Sequence, residues 1–118
     1  MYKFYNANSR GKFVNDCVVR AISVAENEHW NNTYDELSDL AQFDGTLLDD
    51  VVFVEKYLDG KYKRVSHYSK TVGELCEEYP VGTYLVTMKG HITVIINGIV
   101  YDIFDCRNRE IWCVWKVK

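Results

Sequence analysis

The pair Asn97-Gly98, set between His91–Ile96 and Ile99–Phe104, constrains this chain more than any other feature. Asn-Gly tolerates the positive φ angles of a two-residue hairpin turn, and both flanking runs are rich in β-branched and aromatic residues. The stretch therefore reads as a tight antiparallel hairpin. With Asn97 and Gly98 as the loop, Ile96 faces Ile99, Val94 faces Tyr101, Thr93 faces Asp102 and His91 faces Phe104. Opposed residues share a face, and alternate residues stay on it. His91, Thr93 and Ile95 thus lie with Val100, Asp102 and Phe104, which makes His91 and Asp102 diagonal neighbours. Asp105 falls on the other face. It becomes the alternative acid only through a one-residue register change or a bulge.

A carboxylate on one ring nitrogen of a histidine fixes its tautomer and stabilises imidazolium, leaving the other nitrogen for a nucleophile. The chain offers a nucleophile in Asn15-Asp16-Cys17-Val18-Val19-Arg20-Ala21-Ile22. Val18, Ala21, Ile22 and Ala25 recur at helical spacing, so one face is apolar. Asn15 or Asp16 is the expected N-cap. A cysteine in the first turn meets the positive end of the helix dipole, which favours thiolate, and a nearby histidine favours it further. A buried cysteine that merely packs would show the same local pattern.

The remaining elements follow from periodicity and punctuation. Residues 2–5 form an edge strand, and the polar stretch Asn6–Lys12 leads into the Cys17 helix, which runs to about Glu28. Thr33 with Glu36 is a capping box for a helix through Ala41, and a third helix spans Leu47–Leu58. Tyr62–Ser66 is a short strand. Thr71 with Glu74 caps a two-turn helix that ends at Tyr79-Pro80. Gly82–Met88 and Ile111–Val117 complete the strands. Helices precede antiparallel strands, so the expected fold is α+β in one domain over residues 1–118.

Composition narrows the function. The chain has 118 residues, 47% hydrophobic and 26% charged, with a net charge of -3. These are globular values without the basic footprint of a nucleic-acid binder. No apolar run reaches membrane length, and Met1–Tyr5 lacks an apolar leader core, so a cytoplasmic protein is expected, with neither nucleic acid nor membrane as partner. In that setting Cys17, Cys76, Cys106 and Cys113 stay reduced. No C-x-x-C occurs and His29, His67 and His91 are not paired at ligand spacing, so no metal or other cofactor is expected. Trp30, Tyr68 and Trp112 are aromatics that could line a groove.

Asp16-Cys17 opening a helix, Gly90-His91-Ile92-Thr93-Val94-Ile95 opening a strand, and Tyr101-Asp102 on the return strand resemble the papain-like cysteine peptidases. Among these they are similar to small bacterial and phage relatives of the bacteriocin-leader-processing peptidases. The resemblance implies a papain-like fold, with N-terminal helices, including a central cysteine-bearing one, packed on a C-terminal antiparallel sheet. It implies Cys17 as nucleophile, His91 as its activator and Asp102 as the orienting acid. The chain departs from that pattern at Gly11, where papain-like enzymes usually carry an oxyanion-hole Gln about six residues before the cysteine. Asn8 or Asn15 could supply the missing amide. Asn15 is the expected cap, which leaves Asn8.

Two functions compete. The first is a thiol hydrolase that cleaves an amide or isopeptide bond in a peptide or protein substrate, or passes the acyl group to another acceptor. The second is a catalytically silent papain-like fold, a phage or mobile-element protein that binds and inhibits a host partner. An activated Cys17 serving as a redox-regulated thiol is a third use of the same chemistry.

Overall fold

The computed structural model describes residues 1–118 as an α+β unit of four helices and a six-stranded mixed sheet. In chain order the elements are β1 (Tyr2–Phe4), α1 (Cys17–Ala25), α2 (Trp30–Asp44), α3 (Val51–Lys61), β2 (Lys63–Arg64), α4 (Val72–Glu78), β3 (Thr83–Met88), β4 (His91–Ile96), β5 (Ile99–Asp102) and β6 (Cys113–Lys116). The sheet runs β1-β5-β4-β3-β6-β2. No helix is long and apolar enough to cross a membrane.

The hairpin forms in the register set by its turn, with Ile96 opposite Ile99 and Val94 opposite Tyr101. Asn97 and Gly98 both take positive φ, 49° and 74°, the combination a type I′ turn requires. Asn97 Oδ1 also accepts the Gly82 N–H at 2.9 Å, which ties the turn to the start of β3. The sheet is not wholly antiparallel, however. β1 lies parallel to β5, with Val100 N–H donating to Met1 O and Tyr5 N–H to Asp102 O, both at 2.9 Å. A three-residue edge strand has too little pattern to reveal its direction.

Alternation along the strands divides the core in two. Leu85, Ile92, Val94 and Trp115 face α1, α2 and α3, whereas Val86, Ile95, Val100 and Val114 face α4 and the Cys106 loop. The sheet is thus covered on both faces, and α1 lies over β4.

Several helix boundaries differ from the sequence expectation. The α1 helix stops at Ala25. The α2 helix starts at Trp30 because His29, not Thr33, caps it: His29 Nδ1 accepts the Asn31 N–H at 3.1 Å. Thr33 lies inside that helix with its hydroxyl buried and unpartnered. The helix then continues to Asp44, where Gly45 at φ 72° closes it in a Schellman arrangement. Asp50 caps α3 through the Phe53 N–H at 3.1 Å, so that helix begins at Val51 rather than Leu47. The Thr71–Glu74 capping box forms as read. β5 ends at Asp102 because the Asp102 carboxylate captures the next backbone N–H, that of Ile103, at 2.7 Å.

Gly98 and Gly60 separate backbone strain from propensity. At Gly98 an added Cβ would meet the Cys76 carbonyl at 3.1 Å with φ at 74°, whereas at Gly60, near the end of α3, nothing lies within 4 Å. Gly98→Ala should destabilise the fold by more than about 1 kcal/mol, while Gly60→Ala should be neutral or stabilise it by about 0.5–1 kcal/mol. Urea unfolding of the two variants checks the difference.

Candidate active site

Cys17 is the first residue of α1, and its half-buried side chain reaches the start of β4, where His91 stands. Asp16 takes the N-cap position, but no side chain caps the helix. The Cys17 N–H, one of the orphan amides of the first turn, therefore has no partner. Asp16 fails to cap because its carboxylate is buried and turned to other donors. Arg20 Nε donates to Oδ1 at 2.8 Å, while Trp30 Nε1 at 3.0 Å and Asn8 Nδ2 at 3.1 Å donate to Oδ2.

Asp102 is the second buried carboxylate, and five donors surround it, the most distant being the Cys106 thiol at 3.9 Å from Oδ2. His91 Nε2 lies 2.6 Å from Oδ2, and the Thr93 hydroxyl donates to the same oxygen at 2.7 Å. Ile103 N–H reaches Oδ1 at 2.7 Å and Arg20 Nη1 approaches it at 3.4 Å. The diagonal His91–Asp102 relation read from the hairpin is thus a short hydrogen bond. Asp105 is exposed and held by Arg107 in a two-pronged ion pair, out of reach of the histidine. The His91 ring is flanked by Phe104, with centroids 4.7 Å apart, and the Arg109 guanidinium lies 5.2 Å from the Phe104 ring centre.

The electrostatics follow from these contacts. Burial opposes ionisation of the Cys17 thiol, but hydrogen bonding to His91, the imidazolium charge, the Ile92 N–H and Arg20 outweigh it and hold Cys17 below its ordinary range. Burial likewise opposes the charged form of His91. Its bond to Asp102, helped by Cys106 and Cys17, prevails and pushes its pKa up to about 11. Burial would raise Asp102, yet His91, Thr93 and the Ile103 N–H keep it low. The contacts thus bias Cys17 toward thiolate and His91 toward imidazolium, with the Asp102 carboxylate behind them.

His91, Asp102 and Cys106 bring ligand atoms within 4.8 Å of one another. A divalent ion there would break the 2.6 Å His91–Asp102 bond and face the Arg20 guanidinium across one carboxylate. The donor set fits a hydrogen-bonded relay better than a metal.

Not every expected residue takes its expected place. Asn8 is not at the nucleophile: its Nδ2 is bound to Asp16, and its Oδ1 accepts the N–H groups of Arg10 and Lys12. It shapes the loop before α1 instead. Asn15, exposed and not capping, lines the groove that opens on Cys17 and His91. Of the three groove aromatics, Trp112 lines that same groove, Trp30 is tied to Asp16 and Tyr34, and Tyr68 projects freely at 83% exposure. Arg20 was missed. Its signal was a lone cation among apolar residues, four places after Asp16 on one helix face, a spacing that pairs charges and a burial that demands pairing. No protein-family model, curated protein or solved structure matches the chain.

Alkylation of Cys17 by iodoacetamide, read site by site by mass spectrometry, should reach its plateau below the ordinary thiol range near pH 8.5, because a lowered pKa supplies thiolate at lower pH. His91→Ala should move the profile to higher pH, and Asp102→Asn should move it the same way, whereas Asp105→Asn should leave it in place. Arg20→Met leaves two buried carboxylates without their shared cation, and should destabilise the protein by about 3–5 kcal/mol in urea unfolding.

Proposed function

We propose that this protein is a papain-like thiol hydrolase that cleaves an amide or isopeptide bond in a peptide or protein. The observation that carries the reading is that Cys17 and His91 line one groove while His91 Nε2 lies 2.6 Å from the buried Asp102 carboxylate. The placement of a cysteine at an uncapped helix N-terminus supports it.

The Cys17 thiolate attacks the carbonyl carbon and forms a C–S bond, while the carbonyl oxygen takes the displaced electron pair. The free Cys17 N–H and the Asn15 side-chain amide are the donors for that oxyanion, Asn15 taking the part first expected of Asn8. As the tetrahedral species collapses, the C–N bond breaks and His91 gives its proton to the departing nitrogen. His91, now neutral, takes a proton from water, whose oxygen attacks the thioester. The acid leaves, and thiolate and imidazolium are restored. Asp102 holds the ring throughout. Four free cysteines suit a reducing compartment, and we place the protein in the cytoplasm.

A binder that retains the fold without turnover has the glycine at position 11 in its favour, but Asn15 answers that loss. Cys17→Ala should abolish hydrolysis of a peptide library while leaving the unfolding midpoint nearly unchanged. A collapse in stability would instead mark Cys17 as a packing residue. Asn15→Ala should lower kcat by about 10²–10³-fold, whereas Asn8→Ala should act on stability.

A further inference from the structure

The groove beside Cys17 has a volume of about 400 Å³, within the range of small binding sites. Its walls come from four separate parts of the fold. Val18 lies on α1, Val51 and Val54 on the first turns of α3, Met88 and Ile92 at the facing ends of β3 and β4, and Trp112 just before β6. Met88 and Val54 are buried at 1% and 4%, so they form the floor, while Trp112 and Val51 remain 52% and 48% exposed at the mouth.

An apolar floor with an exposed indole at its rim is costly in water unless something covers it. The rim is also held in place. The Trp112 N–H donates to the Thr87 carbonyl at 2.8 Å, and the Asp50 cap fixes the turn that carries Val51. Asp49 stands in the loop before α3, lines the same groove, and forms no ion pair. The site thus presents an apolar hollow, one uncompensated carboxylate, and the nucleophile at its edge.

We propose that this groove is the specificity pocket of the enzyme, taking a large apolar side chain next to the scissile bond, with a lysine or arginine neighbouring it in the substrate to meet Asp49. The proposal rests on the hydrolase reading and names its substrate class. A glycine or acidic residue in the same position leaves the hollow unfilled or buries a charge against Val54 and Met88, and either loss falls on the rate of acylation.

The test is cleavage of a proteome-derived peptide library made with a glutamate-specific protease, which keeps apolar and basic residues internal, with cut sites read by mass spectrometry. Large apolar residues should be enriched roughly tenfold at one position flanking the cut bond, the scale a hydrophobic pocket supplies, with Lys or Arg enriched beside it. Trp112→Ala and Val51→Ser should each reduce the apolar enrichment, and Asp49→Lys should remove the basic one. Cleavage without apolar preference on either side of the bond would overturn the pocket while leaving the hydrolase intact. No cleavage of any peptide would overturn both.

Discussion

The Asp102 carboxylate is the point on which this structure turns. It sits at the end of a strand, 4% exposed, and would be prohibitively unstable there without donors. It receives them from His91 and Thr93 on β4, the backbone that leaves β5, the Cys106 thiol in the loop that follows, and Arg20 on α1. The same carboxylate therefore raises the histidine and fastens the cysteine helix to the hairpin. Arg20 extends the connection to Asp16, and through Asp16 to Trp30 and the loop carrying Asn8.

This arrangement shows how a short chain can hold a half-buried cysteine beside a charged histidine. A buried ion pair seldom adds much stability over apolar packing, but removing one partner is costly because the other charge stays buried. The Asp16–Arg20–Asp102 chain consequently specifies one placement of α1 against the sheet. With Asp16 drawn into that chain, no side chain closes the N-terminus of α1, and its positive end is left to act on Cys17. The structural tie and the lowered pKa of Cys17 share Arg20 and the His91 held by Asp102.

The hairpin is readable because its turn and its alternation agree, and that agreement favours Asp102 over Asp105 as the partner of His91. The Thr71–Glu74 helix start was readable for the same reason: one local motif satisfied its own hydrogen bonds. What was not readable depended on distant groups. Asp16 looks like a cap in isolation, and only the approach of Arg20 and Trp30 diverts it. His29 caps α2 with a ring nitrogen, which no capping pattern anticipates. The direction of β1 rests on backbone bonds to β5, and a three-residue strand carries no trace of them. Asn8, expected near the nucleophile, is instead bound to the diverted Asp16, and Asn15, expected to cap, is left exposed at the groove.

The most direct test of the account is the protonation state of His91 in the intact protein, read from its ring nitrogen shifts by NMR across a pH titration. The account predicts an imidazolium at neutral pH that persists far above the ordinary histidine value near 6.5, together with a Cys17 Cβ shift characteristic of thiolate. A His91 that loses its proton near 6.5, beside a Cys17 still protonated at neutral pH, would contradict the ion pair and with it the catalytic reading of the site.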